Sequence, residues 1–190
     1  MPKPNVAVLV GSLRKASLTR RLAKALARLA GDRLSLEIVE IGQLPLYDQD
    51  LDDEGRPPAA WTAFREKVSS FDAVLFATPE YNRSVPGVLK NAIDVGSRPY
   101  GRSVWSGKPA AVVSCSPGAL GAFGANHHLR QSLVFLDMPV LQQPEAYVGQ
   151  VGELVGEDLS ITNEGSRKFL DGLMTAFAAW ITANSKTAAG

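Results

Sequence analysis

Cysteine is almost missing from this 190-residue chain: Cys115 stands alone, and a single thiol closes no internal disulfide. Histidine is nearly as scarce. His127 and His128 are adjacent, so on a helix they project to different faces and make a poor metal pair. A catalytic Cys115 thiolate with a histidine base is a rival chemistry, but a lone thiol in an apolar run reads first as core packing. No charge of one sign dominates: 20 basic and 19 acidic residues leave a formal net charge of +1. With no basic stripe, nucleic acid is not an expected partner. No apolar run approaches the length of a membrane span. The start, Met1-Pro2-Lys3-Pro4-Asn5, carries neither the apolar stretch nor the cleavage site of a secretory leader, so a cytoplasmic protein is expected. Two phosphate signatures are also lacking, the Gly-x-x-x-x-Gly-Lys-Ser/Thr loop and Gly-x-Gly-x-x-Gly.

The chain does have the length and the 45% hydrophobic share of one globular domain, expected to span residues 1–190. Short continuous apolar runs read as strands buried on both faces: Val6–Val10, Leu34–Ile41, Phe71–Thr78 and Pro109–Ser114, with Met138–Leu141 as a weaker fifth. Between them Leu18–Leu29, Ala59–Ser69, Val85–Val95 and Gly121–Leu136 read as helices. Ser17 is placed to cap the first and Gly31 to stop it, and Pro86 is tolerated in the first turn of the third. Phe169, Leu173, Phe177 and Ile181 mark a final helix. Pro45–Pro58 and Gln142–Asn163 read mostly as loop, Gly96–Gly107 as an irregular connection and Asn184–Gly190 as a frayed polar end. Strands alternating with helices predict a doubly wound α/β fold: a five-stranded parallel sheet of order 2-1-3-4-5, helices on both faces, and a ligand at the switch point between strands one and three.

Two polar loops would flank that point. Gly11-Ser12-Leu13-Arg14-Lys15-Ala16-Ser17 follows strand one and opens into a helix. Helix-end amides, the hydroxyls of Ser12, Ser17 and Thr19, and the guanidinium of Arg14 suit phosphate oxygens, although polar residues before a helix can also be simple caps. Pro79-Glu80-Tyr81-Asn82 follows strand three and brings a carboxylate, a phenol and an amide to one strand end. Main-chain amides and Asn82 could hydrogen-bond the pyrimidine edge of a flavin while Tyr81 packs near a ring face; a tight turn is the alternative. Lys90 and Asn91 read as helix-face residues that could pair with loop carboxylates. A third loop, Ser114-Cys115-Ser116-Pro117-Gly118-Ala119-Leu120-Gly121, is small enough to let backbone approach a planar ring.

Taken together, these segments resemble the NADPH-dependent FMN reductase family of the flavodoxin-like fold, whose members include quinone, chromate and azo-dye reductases. The resemblance runs from about residue 5 to residue 149. Pro79-Glu80-Tyr81-Asn82, continued by Ser84-Val85-Pro86-Gly87 and Leu89-Lys90-Asn91-Ala92-Ile93-Asp94, carries most of it. Ser106-Gly107-Lys108-Pro109 and His128-Leu129-Arg130-Gln131 add to it. It implies that Ser12, Arg14, Ser17, Leu18 and Thr19 bind the FMN phosphate. It also implies that Pro79, Glu80, Tyr81, Asn82, Ser116 and Gly118 line the isoalloxazine ring. A homodimer or homotetramer is implied as well. Departures from the family pattern are Thr19 in place of Asn, Arg83 in place of an aromatic, and the Gly121–Asn126 segment.

The resemblance implies an NAD(P)H-dependent oxidoreductase. NADPH or NADH would give hydride to FMN, and a small-molecule acceptor (a quinone, an azo compound, a chromate-like oxyanion or free flavin) would take the electrons. Hydride transfer needs no acid or base from the protein, so no catalytic residue is named. A metal is not expected. The alternatives are a non-enzymatic flavodoxin-like electron carrier, which the near-neutral charge disfavours, and an FMN-binding redox sensor.

Overall fold

A computed structural model describes residues 3–185; of the end expected to fray, Asn184 instead closes the last helix with Ser185 as its cap, and the rest lies outside the described residues. Five strands form one parallel sheet of order β2-β1-β3-β4-β5: β1 Asn5–Val10, β2 Ser35–Val39, β3 Ala73–Thr78, β4 Ala110–Cys115 and β5 Ala146–Val148. The order expected from the sequence is the one observed. Central β3 and β4 are buried along their whole length, which is why they carry no polar alternation.

Side chains alternate between the faces of a strand, and two cores follow from that. Val6, Val8, Val10, Ala73, Leu75 and Ala77 pack with Leu22 and Leu26 of α1 (Leu18–Ala30) and with Leu173 and Phe177 of the last helix, Glu164–Asn184. Ala7, Leu9, Val74 and Phe76 face the other way. They meet Trp61 of the helix Ala59–Ser69, Leu89 and Ile93 of the helix Gly87–Gly96, and Leu129 and Leu133 of the helix Phe123–Phe135. Among the described residues no helix is long and apolar enough to cross a membrane.

Several expectations need correction. The Pro45–Pro58 loop contains a short helix, α2 (Gln49–Asp53), capped by Asp48, whose side chain accepts the Asp50 N–H. The helices named above are therefore α3 (Ala59–Ser69), α4 (Gly87–Gly96) and α5 (Phe123–Phe135). Pro86 is the extended cap of α4 rather than part of its first turn. Met138–Leu141 is not a strand. Val140 makes one parallel bridge to Ala110; the chain then bulges away and returns as β5, where Ala146 pairs with Val113. Three steps along β4 are thus matched by six along the edge. Gln142–Asn163 accordingly holds β5 and a single turn, α6 (Val151–Leu154). In α7 (Glu164–Asn184) Phe169 is exposed and Leu170 buried. A strict i+4 stripe drifts about 40° per step on a 3.6-residue helix, so the buried line runs through Leu170, Leu173, Met174, Phe177 and Ile181 instead.

Candidate functional site

The carboxyl ends of β1, β3 and β4 deliver three loops to one end of the sheet. Gly11 begins the first. Its N–H donates to the Ala77 carbonyl at 2.8 Å, carrying the β1–β3 pairing one residue beyond the strand. A Cβ at Gly11 would stand 3.1 Å from Pro79 Cδ and 3.2 Å from Leu89 Cδ2. The first loop therefore lies directly against the second.

Ser17 caps α1, its Oγ accepting the Arg20 N–H at 3.0 Å, and no acidic residue lies in the first turn. Among the described residues the main-chain N–H groups of Ser12 to Ala16, Leu18 and Thr19 donate to no protein acceptor. Arg14 and Lys15 are exposed and enter no ion pair among the described residues. Free amides at the positive end of a helix, beside two cations, form a donor set suited to a dianionic phosphate. Ser12 and Ser17 are buried and Leu18 half-buried. The Thr19 hydroxyl instead turns inward, accepting from the Cys115 thiol at 3.4 Å. Thr19 thus presents its amide, not its side chain, to the loop.

The second loop makes a tight reversal. Tyr81 and Ser84 exchange main-chain hydrogen bonds of 3.1 and 2.9 Å, with Asn82 at φ 50° and Arg83 at φ 62° between them. Two positive φ values at the centre are the pattern of a type I′ turn. Pro79 is half-buried, and Tyr81 is 53% exposed. Glu80 carries a link that sequence reasoning missed: its Oε2 accepts the Ala125 N–H at 3.0 Å at the start of α5. Gly124 permits the approach, since a Cβ there would stand 2.9 Å from both Glu80 Oε2 and the Arg83 carbonyl. His128 Nδ1 and Ser84 Oγ, 3.0 Å apart, fasten the same loop to the next turn of α5. The glycine was the available signal, but it gains meaning only once α5 is known to lie beside the loop.

The third loop is held from the edge of the sheet. Ser116 donates its N–H to Val148 at 3.0 Å and accepts from Val151 at its carbonyl, while Gly118 accepts from Gln150 at 3.1 Å. Gly118 itself is open, with nothing among the described residues within 4 Å of where a Cβ would be. Beneath it, fully buried Asn126 donates to Ser114 Oγ at 3.1 Å and accepts from Arg130 Nε at 2.9 Å, seating α5 against β4. Lys90 and Asn91 lie apart from the loop carboxylates. Lys90 pairs with Asp94 on its own helix, and Asn91 holds Leu44, Pro45 and Tyr47.

Leu13, Tyr81, Leu120 and Phe123, each more than half exposed, sit one or two to a loop around this end of the sheet. Exposed apolar side chains near a loop of free amides and two cations suit a flat, apolar ring carrying a phosphate tail. Cys115 adds no nucleophile: burial pushes its thiol up to about 11. His127 is engaged elsewhere, 3.0 Å from the Tyr147 hydroxyl, whose own value burial and neighbouring Glu145 push up to about 12.

Known proteins match this chain over most of its length. The family model of NADPH-dependent FMN reductase matches residues 4–153. A quinone reductase of Pseudomonas putida is 61% identical over 180 residues, covering 95% of this chain and 96% of that protein. A 2-hydroxy-1,4-benzoquinone reductase of a Burkholderia species is 46% identical over 176 residues, covering 93% and 95%. Among solved structures, the flavoenzyme NAD(P)H:(acceptor) oxidoreductase of Paracoccus denitrificans superposes with a TM-score of 0.90 at 44% identity, covering 96% of this chain and 99% of that one.

Proposed function

The chain belongs to the NADPH-dependent FMN reductase family, and we propose that it carries electrons from NAD(P)H to quinones. It is an oxidoreductase with FMN as its cofactor and a reduced nicotinamide as donor. Bound FMN would supply a carrier able to take hydride from one molecule and pass the electrons to another at the same exposed face. In the net reaction one hydride from NAD(P)H and one proton from solvent convert a quinone to its hydroquinone.

The observation that carries the reading is the meeting of two loops across Gly11: free amides at the start of α1 on one side, the Pro79–Asn82 segment on the other. We assign Ser12, Arg14, Ser17, Leu18 and Thr19 to the phosphate. Arg14 supplies charge and Thr19 its amide, Ser17 fixes the helix end, and Leu18 seats the first turn on the core. Pro79, Glu80, Tyr81 and Asn82 are assigned to one side of the ring, and Ser116 and Gly118 to the other. Glu80 also keeps the second loop in register with α5. None of these side chains has to move a proton for hydride transfer, so binding and orientation are their task.

The site residues belong to one domain, 1–190, which we take to act in the cytoplasm as a homodimer or homotetramer. Val134 and Phe135, 72% and 84% exposed on α5, support self-association. Azo compounds, chromate-like oxyanions and free flavin are the further acceptors to assay at the same face. The test is to load the purified protein with FMN, measure its stoichiometry and mass, and follow NADPH and NADH oxidation with 1,4-naphthoquinone. Turnover that depends on both FMN and quinone supports the proposal; bound FMN without turnover contradicts it.

A further inference from the structure

Arg83 occupies a backbone position that an arginine fills at a cost. In a type I′ turn the second central residue is by strong preference glycine, because φ is positive there and a Cβ crowds the backbone. Here the pair is Asn82-Arg83, at φ 50° and 62°. Strain of this kind, found in the loop at the carboxyl end of β3, points to a use for the side chain rather than for the backbone. The side chain is 76% exposed. It shares one carboxylate, Glu80, at 3.3 Å, and that carboxylate already accepts the Ala125 N–H through its other oxygen. Among the described residues, most of the guanidinium's five N–H donors therefore remain free. Its mounting is rigid. The turn closes through the Tyr81–Ser84 pair, the Arg83 carbonyl abuts Gly124, and Ser84 is fastened to His128.

We propose that Arg83 is a specificity-determining residue that selects electron acceptors bearing an anionic oxygen on the ring, such as hydroxyquinones in their ionised form. The inference rests on the quinone-reductase reading of the site. A planar guanidinium at the rim pairs with the charged oxygen while the apolar rim of Leu13, Tyr81, Leu120 and Phe123 covers the ring. Arg83 takes no part in electron transfer; it holds one edge of the acceptor. Because the pair is exposed, its effect fades as salt rises.

The test compares 2-hydroxy-1,4-naphthoquinone, ionised at neutral pH, with neutral 1,4-naphthoquinone, using FMN-loaded wild type, Arg83→Gly and Arg83→Lys. The ratio of kcat/KM for the anionic over the neutral quinone is expected to fall about tenfold in Arg83→Gly, the loss of one charged hydrogen bond. Arg83→Lys should restore most of it, and added salt should erode it in wild type and Arg83→Lys but not in Arg83→Gly. Arg83→Gly, relieved of the positive-φ strain, should melt no lower than wild type, which a purely structural role would not allow. Isothermal titration of the anionic quinone into oxidised protein should show the same order of affinities. An unchanged ratio in Arg83→Gly overturns the assignment. So does a fall confined to the NADPH-over-NADH ratio, which would give the guanidinium to the donor's phosphate. If wild type reduces neither quinone, the underlying reading fails, and that result is visible before any variant is compared.

Discussion

Gly11 and Pro79 touch: a Cβ on the glycine would lie 3.1 Å from the proline Cδ. That contact joins the loop after β1 to the loop after β3, and it sets two polar segments side by side. It follows from the strand order, since β1 and β3 are neighbours and both end here. Gly11→Ala should wedge the loops apart, because Pro79 is a ring with little freedom to yield. The expected result is a loss of about 1 kcal/mol in stability, together with weaker FMN retention. Urea unfolding and FMN titration of the apoprotein measure the two effects separately.

Ser17 and Arg14 should separate structure from binding. Ser17→Ala removes the cap on Arg20 N–H and should cost ~1 kcal/mol of stability as well as FMN affinity. Arg14→Ala removes an exposed cation without an ion-pair partner among the described residues. It should leave urea unfolding of the apoprotein unchanged, weaken FMN binding about tenfold and flatten its salt dependence.

The pair formed by Asp52 and Arg65 predicts a response to acid. The Asp52 carboxylate is 2% exposed and receives two hydrogen bonds from the Arg65 guanidinium, 2.6 and 2.9 Å, which hold it below the usual carboxylate range. A carboxyl lowered in the folded state contributes stability above its unfolded value and loses it as pH falls through the folded one. Asp52→Ala should therefore cost about 3 kcal/mol at pH 7 by stranding Arg65. The gap between wild type and variant should narrow below about pH 4. Urea midpoints across that range decide it.

Much of the fold was legible because the central strands are unbroken apolar runs, a pattern that suits a strand covered on both faces. The fifth strand was not. The edge meets β4 at Val140, leaves it, and returns at Ala146, so no continuous pattern marks it. The short helix Gln49–Asp53 was hidden for another reason: it owes its place to Asp52 reaching Arg65, a contact between separate elements. The site shows the same division. Ser17 is readable as a cap from its neighbours alone, whereas the bond from Ala125 to Glu80 spans two loops and depends on how α5 is seated.

Cys115 should be silent. Its burial keeps the thiol protonated up to about 11, so a thiol reagent at pH 8 should leave the native protein unlabelled and label it fully in urea. A thiol raised in the folded state keeps its proton after the unfolded chain has lost its own. Stability should therefore fall as pH climbs from about 8.5 toward that value. Labelling of the native protein at pH 8 would contradict this.

We propose that the loops meeting at Gly11 hold the FMN through which a nicotinamide and a quinone exchange electrons. Anaerobic stopped-flow mixing of FMN-loaded protein with NADPH, followed by 1,4-naphthoquinone, tests it most directly. Rapid bleaching of the flavin band and full return of colour when the quinone arrives are expected. A protein that binds FMN yet stays yellow with both NADPH and NADH, or fails to take up FMN, would contradict it.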